Sequence, residues 1–271
     1  MSETAYAKIN LALHVRGRGP DGYHRLETIF AFAEDGDGLE AAEAPDGRLE
    51  LELGGPFAAG LSAAGDNLVI RAAEALREHY GVTRGCRITL DKRLPIAAGI
   101  GGGSADAAAA LRLLTRFWEL PHEPDSLHAI ARALGADVPA CLASRTVRGE
   151  GRGDDLVPVD AGALAGTPIL LVNPRVPVAT GPVFKGWDGV DRGPLGSELI
   201  GRNDLEAPAR AIAPVIGEVL EALTGARFVQ MSGSGATCFA LYDSEAERDS
   251  ARARICASRG GWWTLASRLR H

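Results

Sequence analysis

The run Leu94-Pro95-Ile96-Ala97-Ala98-Gly99-Ile100-Gly101-Gly102-Gly103-Ser104-Ala105 holds the residue types and spacing best suited to chemistry, with four glycines and a serine leading into an alanine-rich helical pattern. Residues without a Cβ let successive backbone N–H groups converge on an anion. The helix that follows adds unpaired N-terminal donors and about half a positive charge. This is the form of a phosphate cradle, and ATP is the anion expected in it. No Lys-Ser or Lys-Thr follows the glycines, so the design is not a Walker A loop. Ser104 could cap the helix or contact a phosphate or its magnesium. No carboxylate within the loop is a clear metal ligand, so the metal site is left open.

A second candidate is a lysine. The chain has only three, Lys8, Lys92 and Lys185, against 26 arginines, so a lysine is a departure from its usual cation. Lys8 lies inside an apolar strand pattern, where a plain surface lysine on an edge strand is the competing reading. Asp137, in Gly135-Ala136-Asp137-Val138-Pro139, is open to two readings: an N-cap of the short Val138–Leu142 segment, or a functional carboxylate. Ser232-Gly233-Ser234-Gly235-Ala236 is either a plain hairpin turn or a second place where glycines admit close backbone approach. His14, on the same strand face as Lys8, could line a cleft or be structural.

Composition excludes several classes. A net charge of −6 argues against broad nucleic-acid binding, which relies on a basic field. Cys86, Cys141, Cys238 and Cys256 form neither C-x-x-C pairs nor zinc-like spacings, which fits reduced thiols in a cytoplasm. No signal peptide and no 18-residue apolar run is evident, so no membrane partner is expected. The oligomeric state is not legible.

These groups must be positioned by elements that the patterning predicts. Residues 5–15 alternate, with Ile9, Leu11, Leu13 and Val15 on one face and Lys8, Asn10, Ala12 and His14 on the other, as in a strand with one polar face. Gly17-Arg18-Gly19-Pro20-Asp21-Gly22 has the form of a dinucleotide fingerprint, but Pro-Asp-Gly is turn chemistry and Tyr23–Phe32 continues as strand. Acidic loops and short strands are expected next, at 47–54. A helix from Asp66 to about Tyr80 follows, with Leu68, Ala72, Ala75, Leu76 and Tyr80 on one face. A strand at Arg87–Leu90 feeds the glycine loop. A helix from Ser104 to Leu120 buries Ala107, Leu111, Leu114 and Trp118 until Pro121 stops it, and Asp125 caps another that ends at Gly135. Residues 149–159 read as a hairpin or turn and 160–167 as a linker. Then come a strand (Ile169–Asn173), helices over Asp204–Thr224 broken at Pro214, strands at Phe228–Ser232 and Thr237–Tyr242, a helix at Ser244–Ala257 and a strand at Trp262–Leu265. Trp262 and Trp263 belong to the core and rim of that last strand, and Glu245–Arg254 to a solvated face. Such interleaving suggests a split β-α-β sandwich.

The glycine loop, the Ala7-Lys8-Ile9-Asn10-Leu11 strand, the Gly135–Pro139 corner and the Ser232–Ala236 turn together resemble the three motifs of the GHMP kinases. Within that superfamily, five blocks, Ala7-Lys8-Ile9-Asn10-Leu11, Asp21-Gly22-Tyr23-His24, Asp66-Asn67-Leu68, Asp91-Lys92-Arg93-Leu94-Pro95 and Gly135-Ala136-Asp137-Val138-Pro139, are most similar to the 4-diphosphocytidyl-2-C-methyl-D-erythritol kinases. The resemblance implies an α+β, two-domain fold. Residues 1–160 would form a domain like domain 2 of ribosomal protein S5, and 161–271 a ferredoxin-like domain, with ligands in the cleft between them.

It also implies an activity: transfer of the ATP γ-phosphate, with magnesium, to the 2-hydroxyl of a cytidine diphosphate-linked methylerythritol in non-mevalonate isoprenoid synthesis. Asp137 would accept the hydroxyl proton, with Lys8 holding that carboxylate ionised and offsetting phosphoryl charge. Pro95 to Ala105 would hold the nucleotide and Asn67 would lie near the adenine. Tyr23 and Phe184 would sandwich the cytosine, His24 would read its polar edge, and Asn10 and Thr180 would contact the erythritol end. Gly233, Ser234 and Gly235 would lie beside the first glycine loop. The family form carries more glycine where Ala97 and Ala98 stand, and since alanine resists positive φ the expected wrap begins at Gly99. Another small alcohol as substrate, or a silent nucleotide-binding module, stay open on the residues alone.

Overall fold

The computed structural model describes residues 1–271, which fold as two compact units. The first comprises Met1–Ala7, Asp35–Ile96 and Gly101–Ser144; the second comprises Lys8–Glu34, Ala97–Ile100 and Arg145–His271. Two long paired strands, β1 (Ser2–Arg18) and β2 (His24–Ala42), contribute residues to both. Each is longer than its sequence pattern predicts. β1 is also buried on both faces, with Lys8, Asn10 and His14 as inaccessible as the leucines opposite them. Between the two strands Gly22 N–H donates to the Gly19 carbonyl (3.0 Å), and strand resumes at once, so the G-x-G-x-x-G run is a turn and no helix opens there.

In the first unit, β3 (Leu49–Gly54) runs parallel to β4 (Cys86–Asp91), which pairs antiparallel with Gly38–Ala42 of β2. The parallel pair is joined through α1 (Leu68–Tyr80), as parallel strands require a crossover. β4 buries Cys86, Ile88 and Leu90 and turns Arg87, Thr89 and Asp91 outward, where Arg87 meets Glu50 and Glu52 on the neighbouring strand. On α1 the buried face is Val69, Ile70, Ala72, Ala73 and Leu76; Leu68, Ala75 and Tyr80 lie at its margin, a rotation from the expected stripe. Gly81, at φ 67°, ends that helix.

The helix after the glycine loop, α2 (Gly102–Phe117), starts two residues before Ser104 and stops short of Leu120, because Glu119 takes a left-handed φ of 56°. Its buried alanines allow α1 and the short α4 (Val138–Ala143) to pack on it. In α3 (Pro124–Leu134) the N-cap position falls on Glu123; Asp125 stands in the first turn and does not cap. Gly135 follows as the C-cap.

In the second unit, Leu26–Phe30 of β2 pairs with β5 (Val147–Gly151), which forms a hairpin with β6 (Asp155–Pro158). A separate antiparallel sheet has β7 (Pro168–Asn173), β8 (Phe228–Met231), β9 (Cys238–Leu241) and β10 (Trp263–Arg268) in the order β10-β7-β9-β8. This is the split β-α-β-β-α-β order of a ferredoxin-like layer. The helices are α5 (Thr180–Lys185), which the sequence pattern does not announce, α6 (Glu206–Ile212) and α7 (Val215–Ala222), separated at Pro214, and α8 (Glu245–Ser258). Ser244 caps α8 by accepting from Glu247 N–H. Leu170, Val172, Ile216, Val219, Met231, Ala240 and Ile255 lie at the centre of this unit's core. No helix is long and apolar enough to cross a membrane.

Candidate active site

The glycine loop supplies backbone conformations that side chains resist. Gly99 (φ 75°) and Gly101 (φ 65°) are left-handed, and so is Ala97 (φ 52°), although alanine disfavours that region. The wrap therefore begins before Gly99, at the residue expected to oppose it. Gly101 is the N-cap of α2 and has no side chain to offer the first-turn amides, so those donors remain available to an anion. Ser104 is the third helical residue and does not cap.

The Ser232–Ala236 turn interlocks with this loop. Ser232 Oγ donates to the Gly99 carbonyl (3.0 Å) and accepts from Asn10 N–H (3.2 Å), while Thr237 N–H donates to the Ala98 carbonyl (3.1 Å). A Cβ on Gly99 would fall 2.6 Å from the carbonyl oxygens of Ser232 and Gly235, and one on Gly233 (φ 57°) 2.8 Å from the Gly99 oxygen. Both positions thus exclude side chains. Asn203 fastens the turn from behind, its Nδ2 donating to the carbonyls of Met231 and Gly233, each at 2.8 Å.

Lys8 enters from β1, 4% exposed, with its N–H bonded to the Ile100 carbonyl (3.1 Å). Its Nζ donates to Asn10 Oδ1 (2.8 Å) and lies 5.0 Å from the centre of the Phe30 ring. Asn10 Nδ2 donates in turn to Thr28 Oγ1 (2.8 Å), which donates to the Ala12 carbonyl (2.6 Å). This chain orients the asparagine, and the burial of Lys8 rules out a surface lysine. His14, on the same strand face, is buried, and its pKa is lowered by that burial and then by Arg202.

In the second unit, Phe184 and His24 pack at a tilt of 34° with ring centres 5.0 Å apart, and Trp187 meets His24 edge-on at 5.7 Å. These three line a pocket of about 540 Å³ with Arg18, Gly22, Gly181, Lys185 and Gly189. Burial, then Arg18, lowers the His24 pKa, which favours the neutral imidazole with its one donor and one acceptor. The Tyr23 ring, 53% exposed, lies under the Arg152 guanidinium at 3.9 Å. Thr180 Oγ1 and Ser234 Oγ share a hydrogen bond of 3.0 Å, tying the α5 end of the pocket to the second glycine turn.

In the first unit, Asp137 occupies the N-cap position of α4, but its φ of −83° and ψ of −15° are helical and its side chain makes no cap hydrogen bond. The capping reading therefore fails for its carboxylate. Asn67 does cap: its Oδ1 accepts from Val69 N–H (2.9 Å) and its Nδ2 donates to the Ser62 carbonyl (2.7 Å). No group of three or more His, Cys, Asp and Glu side chains is placed to hold a metal ion.

Comparison with known proteins decides the family. The model described as the GHMP kinases N terminal domain matches residues 67–145, and that of the GHMP kinases C terminal matches residues 194–259. The chain is 57% identical to the 4-diphosphocytidyl-2-C-methyl-D-erythritol kinase of Rhizorhabdus wittichii over 99% of this chain and 94% of the relative. It is 53% identical to the protein of that name from Sphingopyxis alaskensis, over 100% and 99%. A crystal structure of 4-(cytidine 5'-diphospho)-2C-methyl-D-erythritol kinase superposes with a TM-score of 0.84 at 34% identity, covering all of both chains. This chain belongs to the GHMP kinases, in the family of 4-diphosphocytidyl-2-C-methyl-D-erythritol kinases.

Three residues of this kinase escape sequence reasoning. Asn203 could be suspected only from its place in Arg202-Asn203-Asp204 before a helix, and Trp187 only from its closeness to Phe184 in the chain. Lys92 is 2% exposed, with its Nζ 2.6 Å from both Asp37 Oδ2 and Asp106 Oδ2. The scarcity of lysine points to it as strongly as to Lys8, but its two acidic partners are distant in sequence.

Proposed function

We propose that this kinase transfers the γ-phosphoryl group of ATP to the 2-hydroxyl of 4-diphosphocytidyl-2-C-methyl-D-erythritol, a step of non-mevalonate isoprenoid synthesis in the cytoplasm. The observation that carries the reading is the glycine loop that leads through left-handed Gly99 and Gly101 into the uncapped N-terminus of α2. It fits a polyphosphate, because its left-handed glycines and first-turn amides supply donors that no side chain of the loop occupies.

In this reading Pro95 to Ala105 receive the nucleotide phosphates, and Asn67 offers the adenine its remaining amide hydrogen. Asp137 takes the proton of the attacking hydroxyl as that oxygen bonds to phosphorus and the bond to the departing ADP oxygen breaks. Lys8, oriented by Asn10, offsets charge on the transferring group, and little covalent help is needed beyond that positioning. Magnesium would travel with the nucleotide phosphates rather than in an all-protein cage. The cytosine stacks on Phe184, with His24 reading its polar edge and Tyr23 closing the other face from its place beside Arg152. Thr180 and Asn10 face the erythritol end, while Gly233, Ser234 and Gly235 give the phosphates room.

ADP release measured with ATP and the cytidylylated alcohol, and again with methylerythritol lacking the cytidine diphosphate, tests this. Turnover should require the cytidine group. Equal turnover on the bare alcohol would assign a different substrate, and ATP binding without turnover on any alcohol would make the chain a nucleotide-binding module.

A further inference from the structure

Lys92, Asp37 and Asp106 form a buried cluster of one cation and two carboxylates that the phosphoryl-transfer reading leaves unused. Asp37 Oδ2 accepts from Lys92 Nζ, while its Oδ1 accepts from the backbone N–H of Arg93 (2.6 Å) and Leu94 (2.8 Å), where the glycine loop begins. Asp106 lies one turn along α2 from Gly102 and takes the second Lys92 bond on Oδ2; its buried Oδ1 has no partner. A Cβ on Gly102 would sit 3.1 Å from Lys92 Nζ, so the ammonium lies directly against the first turn of the helix. One side chain thus ties β2, the entrance of the loop and the phosphate-receiving end of α2 together.

We infer that Lys92, clamped between Asp37 and Asp106, is the positioning residue of the nucleotide site, fixing the loop entrance to the N-terminal turns of α2 and so setting affinity for the triphosphate. This rests on the reading of the loop as an ATP site. A buried pair with one acid in excess is a costly way to gain stability alone, since an apolar replacement of the same shape is often as stable. Burial pushes the Asp106 carboxyl up to about 7, against the pull of Lys92 and with the help of Asp37. Those two residues, from the end of β4 and from β2, are the charged groups acting on it. α1, α3 and α4, which also pack on α2, bury only uncharged side chains. Ionised Asp106 leaves a surplus negative charge one turn from the amides that receive a polyanion, so affinity should fall as pH rises through that value.

The test is titration calorimetry of the full-length protein with a non-hydrolysable ATP analogue. Asp106→Ala leaves the Lys92–Asp37 pair intact but frees α2, and should weaken binding about ten- to hundredfold. Asp106→Asn keeps an acceptor for Lys92 and should retain wild-type affinity near pH 6.5. As the pH is raised to about 8.5, the wild type should lose affinity relative to this variant, a ratio from which the nucleotide's own titration cancels. A folded Asp106→Ala protein with wild-type affinity would overturn the inference. So would an Asp106→Leu variant, similar in size but with no acceptor for Lys92, that binds with wild-type affinity, and that arm decides should the alanine variant not fold. A wild type that binds no analogue would instead reject the reading of the loop as a nucleotide site.

Discussion

At the scale of single residues, the two groups proposed to act on the reacting atoms are held differently. Lys8 is fixed by the Asn10–Thr28 hydrogen-bond chain, whereas Asp137 stands where a capping carboxylate would stand and makes no cap bond. If they act as base and charge-offsetting cation, Lys8→Ala and Asp137→Ala should each lower kcat by about 10²- to 10⁴-fold in protein with native circular dichroism. Near-normal turnover in either would remove that residue from the chemistry. If the cytosine stacks on Phe184, beside His24, one stacked base contributes about 1–3 kcal/mol, so Phe184→Ala should raise the KM for the alcohol substrate roughly five- to 150-fold with the KM for ATP unchanged. An unchanged alcohol KM would exclude the ring as the stacking face.

Among the elements, the glycine loop and the Ser232–Ala236 turn form one interlocked piece. Their glycines differ in what they tolerate. A Cβ on Gly99 meets two carbonyl oxygens at 2.6 Å in a left-handed backbone, so Gly99→Ala should destabilise by about 2–4 kcal/mol in chemical denaturation, combining conformational strain with overpacking. Ala97 has the reverse problem. It already holds φ 52° with a side chain, and Ala97→Gly should be neutral or stabilising by up to about 1 kcal/mol. A clear loss of stability there would show that the methyl group, not the backbone, is what that position needs.

For the whole molecule, the pH dependence of stability combines opposing contributions. Folding lowers the pKa of His14, through burial and then Arg202, so between its folded value and 6.5 the unfolded chain binds more protons and stability falls on acidification. Asp106 acts in the opposite sense. Its carboxyl is raised from 3.8 to about 7, the native state binds the extra proton, and that contribution grows as the pH falls through 7. Thermal melts from about pH 7.5 down to 5.5 should therefore move His14→Gln upward relative to the wild type and Asp106→Asn downward. Parallel curves for either variant would remove that residue from the linkage.

What the sequence determined by itself was whatever depends on local chemistry. The alternation of residues 5–15, the four glycines before an alanine helix, the break at Pro214 and the helical pattern from Ser244 all act within a few residues, and each appears in the structure as an element or its boundary. The five motif blocks were likewise legible, and the family they indicated is the family the chain belongs to. Tertiary structure alone decided which partners the polar groups have. Burial on both faces of β1 turned a seemingly solvent-facing row into an internal one. Gly102 rather than Ser104 became the start of α2, with Gly101 as its N-cap, and a lysine at 92 was placed between carboxylates at 37 and 106. Periodicity reports which side of an element faces away from water; which distant charge waits on that side depends on how the chain returns, and no local pattern encodes that.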